Sequence, residues 1–146
     1  MTPAAQLIEK LALTPHPEGG WYRETWRAPA AVGERASATA ILFLLEAGQR
    51  SHWHRVDAAE IWLWHAGDPV LLEMSLTDSG PTQQLTLGPD VLAGAEVQKI
   101  IPPDCWQAAH AMPGGTEGYA LVSCVVSPAF DFAGFTLAPA DWSPGE

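Results

Sequence analysis

The side chains with the clearest chemical potential lie between Gly48 and Gly67, in the stretch GQRSHWHRVDAAEIWLWHAG. His52 and His54 are two positions apart, and residues i and i+2 of an extended strand point to the same face. We therefore expect both imidazoles to converge on one point. If the apolar run that begins at Glu60 folds back as the neighbouring strand, its carboxylate faces that point as well. Two imidazoles and one carboxylate suit Fe(II), Mn(II), Ni(II) or Zn(II).

The same trio also fits a structural role. Two partly buried histidines and a carboxylate can hydrogen-bond one another in a small core, and an H-x-H pattern alone has low specificity. The flanking glycines favour a site, because Gly48 precedes the first strand and Gly67-Asp68-Pro69 forms a strong turn signal after the second. From the residues alone, metal binding and a structural polar cluster both stay open.

The spacing G-x3-H-x-H-x5-E-x6-G resembles the first motif of the cupin superfamily. The gap before Glu60 is about one or two residues longer than usual, which a longer turn absorbs. Cupins carry a second motif, P-x-G-x-x-H, and its place is taken here by residues 102–107, PPDCWQ. Asp104 stands where the glycine is usual, and Gln107 stands where the histidine is usual.

The resemblance extends over nearly the whole chain and is closest to a family of small uncharacterised cupins. The matching segments are PHPEGGWYRET at 15–25, SHWHRVDAAEIW at 51–62, PPDCWQ at 102–107 and LVSCVVSPAFDF at 121–132. It implies an all-β, double-stranded β-helix (the cupin jelly-roll barrel) with a small-ligand pocket at one mouth. It also implies a divalent metal ion (Fe, Mn, Ni or Zn) on His52, His54 and Glu60, with Gln107 as the fourth group, and a homodimer.

Composition narrows the class of protein. A length of 146 residues predicts a single cupin domain over 1–146, and 47% hydrophobic with only 16% charged residues predicts a sizeable core. A formal net charge of -10 disfavours nucleic acid as a partner. There is no basic, apolar leader and no apolar run long enough for a membrane span. With two cysteines and no disulfide framework, we expect a cytoplasmic protein with reduced thiols.

Thirteen glycines and thirteen prolines predict many turns between short strands. Pro3 to Leu11 is predicted as a short helix, because Leu7, Ile8 and Leu11 form one stripe. About ten short strands are expected, among them 21–27, 37–46, 70–76, 83–87, 97–101, 119–126, and those that carry the histidines and Glu60. The segment with Phe130, Phe132 and Phe135 is expected to cap the barrel.

Two strands supply the candidate substrate contacts. In the strand 21–27, Tyr22 and Glu24 share one face and Arg23 has the other, so either Tyr22 or Arg23 can face a pocket. An arginine there suits a carboxylate or phosphate, with a solvated ion pair as the alternative. In the strand after Glu60, Trp62 and Trp64 share the face of that carboxylate and predict an aromatic wall. Trp106, beside Gln107, is a further candidate substrate contact.

Several polar residues have more than one possible role. Gln107 can orient a metal-bound water or a substrate, or it can be a buried amide bonded to the backbone. Tyr22, Glu24 and Glu18 are the side chains available as a catalytic base. His16 and Glu18 fall in a proline-rich turn, where we expect a solvent-exposed or capping histidine and an exposed carboxylate.

Two functions fit these observations. The first is a metal-dependent enzyme on a small polar molecule such as a sugar derivative, of the isomerase/epimerase or oxygenase type, with Glu60, Gln107 and Tyr22 as catalytic groups. The second is a non-catalytic ligand-binding or sensor protein with an aromatic-lined pocket. Ile61 and Leu63 on the outer face agree with a homodimer.

Overall fold

The computed structural model describes residues 1–145. One helix, α1 (Pro3–Lys10), precedes eleven strands within that range. The strands are β1 (Thr14–Pro15), β2 (Trp21–Arg27), β3 (Thr39–Glu46), β4 (Arg50–Val56), β5 (Ala59–Gly67), β6 (Val70–Ser75), β7 (Gln83–Leu87), β8 (Gln98–Ile101), β9 (Trp106–Ala111), β10 (Tyr119–Ser127) and β11 (Phe135–Leu137). Short 3-10 helices lie at Val91–Ala93 and Phe132–Gly134.

The strands form two antiparallel sheets. One has the order β1-β2-β3-β10-β5-β8, and the other has the order β11-β4-β9-β6-β7. Consecutive strands β4 and β5 therefore belong to different sheets, so the segment with the two histidines and the segment with Glu60 are brought together across the core. The all-β class predicted from the sequence is confirmed. The strand β9 was not predicted, and Gln107 lies within it.

The core lies between the sheets. Alternate residues of the central strands point inward, as in β10, where buried and half-buried positions alternate along the whole strand. The buried side chains of this core are Phe43, Leu45, Trp62, Val70, Leu72, Met74, Leu87, Ile101, Cys105, Ala109, Ala111, Ala120, Val122 and Cys124. Both cysteines are buried and free.

The helix α1 covers the outer face of the six-stranded sheet. Thr2 caps it by accepting a hydrogen bond from the Ala5 backbone N–H at 3.1 Å, and Pro3 occupies its first turn. Its apolar stripe packs against the buried Leu44. No helix among residues 1–145 combines the length and the apolarity that crossing a bilayer requires.

A bulge in β4 decides which side chains reach the core. Ser51 pairs with Ala109 and His54 pairs with Gln107, so three steps along β4 match two steps along β9. One extra residue in one strand is a β-bulge, and it breaks the alternation of faces locally. Ser51 and His54 consequently share the inner side and are 0% and 2% exposed. The expectation that His52 and His54 share a face does not hold.

Candidate functional site

A cavity of about 270 Å³ opens at the end of the core where β5 begins. This volume is near the lower end for ligand pockets and suits a small metabolite. Its wall consists of His16, Glu18, Tyr22, Glu24, Thr39, Ile41, His54, Val56, Glu60, Val126, Phe130 and Phe132. The residues come from β2, β3, β4, β5, β10, the 16–20 loop and the segment before β11, so the cavity exists only once both sheets have assembled.

The loop that carries His16 and Glu18 is pinned against β4. The His52 backbone N–H donates to the Glu18 carbonyl oxygen at 2.8 Å. Gly19 has φ +105°, and a Cβ there would lie 1.9 Å from the Arg50 carbonyl oxygen. Only glycine tolerates both the backbone conformation and this close approach. The loop therefore turns the Glu18 side chain inward, where it is 8% exposed.

Glu18 and His54 form a buried pair. The distance from Glu18 Oε2 to His54 Nε2 is 3.1 Å, and the Ser51 hydroxyl donates to Glu18 Oε1 at 3.0 Å. His54 Nδ1 lies 2.8 Å from the His52 carbonyl oxygen, which can only accept, so Nδ1 carries the ring hydrogen. In the neutral ring Nε2 is then an acceptor, and the hydrogen bond requires a protonated Glu18 as donor.

The electrostatics agree with this proton position. Burial raises the pKa of Glu18 to about 8, and the Ser51 hydrogen bond offsets this only in part. Burial also lowers the pKa of His54. Both shifts disfavour the ionised forms, because a charge removed from water is destabilised. Near neutral pH the pair is therefore a carboxylic acid that donates to a neutral imidazole.

Glu60 belongs to a second buried chain of hydrogen bonds. The Trp62 indole N–H donates to Gln107 Oε1 at 2.8 Å, and the Gln107 amide NH₂ donates to Glu60 Oε1 at 2.9 Å. Indole nitrogen can only donate, which fixes the amide oxygen of Gln107 toward Trp62. Glu60 is also hydrogen-bonded to the Cys124 thiol, so two buried side chains hold its carboxyl group at the cavity wall. Burial is the main cause that raises the pKa of Glu60, whereas neighbouring His54 acts in the opposite direction.

His16 completes the polar part of the cavity. Its Nδ1 accepts a hydrogen bond from the Glu18 backbone N–H at 3.1 Å, so this nitrogen carries no hydrogen. The ring packs edge-on against Tyr22 with a centroid distance of 4.5 Å. Burial lowers the pKa of His16 to about 4, and the His54 charge contributes in the same direction. His16 is consequently neutral at physiological pH.

The implied metal ligands do not fit a metal in this arrangement. His52 lies outside the cavity, with Nε2 2.8 Å from the Pro139 carbonyl oxygen. Gln107 presents its NH₂ group, which has no lone pair for a metal, and only His54 and Glu60 of the implied set line the cavity. Among residues 1–145, no group of three or more His, Cys, Asp or Glu side chains has the geometry to hold a metal ion.

The other predicted contacts are distributed as follows. Tyr22 lines the cavity together with Glu24, on the face that strand alternation assigned to both, whereas Arg23 on the opposite face is exposed. Trp62 is 1% exposed and lies behind Gln107 rather than at the cavity wall. Trp64 donates to the Asp68 carbonyl oxygen at the other end of β5.

Trp106 faces away from the cavity as well. It packs with Trp53 on the outer side of the second sheet, and its indole N–H donates to Asp78 Oδ1 at 2.7 Å. The rings that do line the cavity are Tyr22, Phe130 and Phe132. The segment with the phenylalanines closes this end of the barrel, as the sequence predicted.

Two residues at the centre of the site were expected to be exposed. The side chains of His16 and Glu18 are 5% and 8% exposed, because the 16–20 loop folds over β4 instead of projecting into solvent. The sequence did contain an indication that His16 and Glu18 belong to the site, since PHPEGG is among the segments that resemble the small cupin family. Its prolines and glycines led to an interpretation as a simple turn.

Comparisons with known proteins place this chain in a family. The family model described as Cupin superfamily (DUF985) matches residues 5–138. A hypothetical protein from Leishmania major is 33% identical with a TM-score of 0.84, covering 94% of this chain and 88% of that one. A Shewanella oneidensis protein is 36% identical with a TM-score of 0.85, covering 94% and 85%. No curated protein matches the chain.

More distant structures share the fold alone. Oxalate decarboxylase from Bacillus subtilis, in a structure at pH 4.6, is 14% identical with a TM-score of 0.61, and the match covers 84% of this chain but 29% of that one. CapF, in complex with an inhibitor, is 11% identical with a TM-score of 0.65, covering 88% and 34%. These matches confirm the cupin jelly roll. The chain belongs to the cupin superfamily, in the family described as DUF985.

Proposed function

We propose that the cavity transfers protons on a small polar molecule, such as a sugar derivative, in a reaction of the isomerase or epimerase type. The observation that carries this proposal is the Glu18–His54 pair, two buried side chains at the cavity wall whose Oε2 and Nε2 atoms lie 3.1 Å apart. General acid–base catalysis needs a proton held on a positioned side chain whose pKa is near the working pH. The pKa of about 8 for Glu18 meets that condition.

Each group has a distinct task in this reaction. Glu60 takes a proton from a carbon beside a carbonyl group and returns it to the neighbouring carbon in an isomerisation, or to the opposite face of the same carbon in an epimerisation, once the planar intermediate has turned over. The carbonyl oxygen of the substrate becomes negative when the carbon loses its proton. The Glu18–His54 pair donates its proton to this oxygen and takes it back later in the reaction. No net proton is gained or lost. Gln107 holds Glu60 in orientation, and Tyr22 at the wall supplies a further hydroxyl for the substrate.

The proposal contains no metal step, because His52 and Gln107 do not present ligand atoms to the cavity. Metal analysis distinguishes this metal-free reaction from the divalent-ion site that the sequence predicted. We expect protein purified without tags or chelators to contain metal well below one equivalent, with no difference in His52→Ala. Near-stoichiometric metal that disappears in His54→Ala would contradict the metal-free form of the proposal.

Solvent-proton exchange tests the reaction before the substrate is known. The probes are dihydroxyacetone, glucose and glucosamine, incubated with the full chain in D₂O and followed by proton NMR. We expect deuterium uptake beside the carbonyl carbon of at least one probe, reduced about 10²- to 10⁴-fold in Glu18→Gln. Glu34→Gln, an exposed loop change with the same loss of charge, is the control. Equal uptake in wild type and Glu18→Gln would overturn the role of Glu18.

A non-catalytic binding or sensor role is the second candidate. The observation that favours it is the apolar part of the wall, where Phe130 and Phe132 stand perpendicular with a centroid distance of 4.9 Å and offer a surface for a ring. Ligand binding without deuterium uptake by wild-type protein would select this role over the first.

A homodimer in the cytoplasm remains part of the proposal. Ile61 and Leu63 are half-buried on the outer face of β5, and Ile100 on the adjacent edge strand β8 is 58% exposed. A second copy could cover these side chains, since an exposed edge with apolar residues favours association. The two free, buried cysteines are compatible with a reducing compartment.

A further inference from the structure

The charge of the cavity wall selects against anions. None of its twelve lining residues is a lysine or arginine. Of its three carboxyl groups, Glu18 is protonated and donates to His54, Glu24 is paired with Arg27, and Glu60 has no positively charged partner. Nor do the two imidazoles supply positive charge. His16 Nδ1 accepts a backbone N–H, and His54 Nε2 accepts from Glu18.

The arginines nearest the mouth are already engaged. Arg27 contacts Glu24 at 2.8 Å and donates to the Phe130 carbonyl oxygen at 3.1 Å. Arg35 contacts Asp57 at 2.7 Å and donates to the Ala129 carbonyl oxygen at 2.9 Å. A buried anion without a positive partner is strongly destabilised, so a carboxylate or phosphate ligand has nothing to pair with here.

The rest of the wall suits a cation. Glu60 is 7% exposed and lines the cavity, where Gln107 and Cys124 hold its carboxyl group, and an ammonium group beside it would favour its ionised form. Tyr22, Phe130 and Phe132 supply aromatic rings, whose negative faces attract ammonium groups within about 6 Å. The net charge of -10 adds a long-range attraction for cations.

We propose that the ligand of this cavity is a small organic cation, an amine whose ammonium group lies between the Glu60 carboxyl group and the aromatic rings of Tyr22, Phe130 and Phe132. This inference rests on the proposed function, since it names the substrate class of the same cavity. The ammonium group is carried by the carbon that gives its proton to Glu60, so the carboxyl group contacts both, and the rest of the carbon skeleton lies against the phenylalanines at the mouth.

Three probes that share a cyclohexane ring but are positively charged, neutral or negatively charged test the ligand class. Calorimetric titrations of the full chain use cyclohexylamine, cyclohexanol and cyclohexanecarboxylate near neutral pH. We expect the amine to bind about tenfold or more tightly than the alcohol, and the carboxylate not to bind. Glu60→Gln should abolish the preference for the amine. Glu34→Gln, with the same change in net charge on an exposed loop, should retain it.

A second variant guards against misfolding of Glu60→Gln. Phe132 is 54% exposed, so Phe132→Leu should fold. We expect this variant to bind the amine several-fold more weakly, because a leucine has no ring face for the ammonium group, and to bind the alcohol with nearly unchanged affinity. Equal binding of amine and alcohol, binding of the carboxylate, binding of none of the three, or an equal loss in Glu34→Gln would each overturn the amine class. The proton-transfer proposal would survive these outcomes, because deuterium uptake measures it separately.

Discussion

The two ends of β5 hold buried carboxyl groups that are used in opposite ways. Asp68, just past the end of the strand, is 4% exposed and accepts the backbone N–H groups of Glu117 and Gly118, one on each oxygen, both at 3.0 Å. Glu60, at the start, meets the side chain of Gln107 and lies near the Glu18–His54 pair. The first carboxyl group is bonded to main chain, and the second lies in a network of side chains that can exchange protons.

The partners explain the difference. Backbone N–H groups cannot move or change protonation state, so the Asp68 contacts hold the loop before β10 in place. Trp64 strengthens that end by donating to the Asp68 carbonyl oxygen at 3.0 Å. Burial raises the pKa of Glu18 to about 8, so this group can lose or regain a proton near neutral pH beside the neutral imidazole of His54, and both side chains face a cavity. Burial of a carboxyl group is therefore not by itself a sign of function, whereas burial beside a titratable partner and an open volume is.

The largest effect on stability is expected at the structural end. Asp68→Asn places an amide NH₂ against one of the two backbone N–H groups, which removes one hydrogen bond and leaves a donor without an acceptor. We expect a loss of about 3 kcal/mol in the free energy of unfolding, measured by urea denaturation. The control is Asp90→Asn, where the exposed side chain makes no capping hydrogen bond. Equal losses in both variants would show that Asp68 has no special structural role.

The next effect is the pH dependence of stability that Glu18, beside the start of β5, confers on the protein. The pKa of Glu18 is raised from 4.5 to about 8, so the folded state binds more protons than the unfolded state between these values, and stability falls as pH rises. The pKa of His16 is lowered from 6.5 to about 4, so His16 makes stability rise with pH, but only below pH 6.5. Between pH 6.5 and 8 we expect a decline of about 2 kcal/mol.

Urea titrations across that pH range measure the decline. Glu18→Gln cannot titrate and should show a flatter profile, while Asp90→Asn should follow the wild type. A wild-type stability that is constant from pH 6.5 to 8 would mean that Glu18 ionises normally in the folded protein. In that case, the side chains near Glu60 would not form a network that exchanges protons near neutral pH, and the start of β5 would not differ from the Asp68 end in that way.

The smallest effect concerns the two histidines on β4. His52 is half-buried outside the cavity and contacts the Pro139 carbonyl oxygen, so His52→Ala should cost about 1 kcal/mol or less. Deuterium uptake and amine binding should remain at wild-type levels, because the variant leaves the cavity wall intact. Loss of uptake in His52→Ala, with the free energy of unfolding preserved, would bring His52 into the site and restore the sequence-based ligand set.

Local patterns predicted the fold well. The alternation in β2 assigned Tyr22 and Glu24 to one face, and both line the cavity. The stripe of leucines and isoleucine predicted α1 to within one residue of its end. These inferences held because they depend on backbone periodicity, which neighbouring residues in the chain determine.

The predictions about the site failed where distant strands intervene. His52 was expected beside His54, but the bulge depends on how β4 pairs with β9, and no local pattern near His52 shows it. Trp62 has the inward direction that its parity predicted, yet its depth in the core makes it a hydrogen-bond donor to Gln107. Glu18 was expected in solvent because the closeness of its loop to Arg50 is a tertiary contact.

The sequence by itself therefore determined the family, the jelly-roll class and the positions of most strands, and it singled out His54 and Glu60, which both line the cavity. Only the tertiary structure decided which polar groups meet, because the decisive hydrogen bonds join residues far apart in the chain. The bond from Gln107 to Glu60 spans 47 positions, and the pair of Glu18 and His54 joins a loop to another sheet. Burial then set the protonation of these groups, since desolvation depends on what surrounds a side chain and not on its neighbours in sequence.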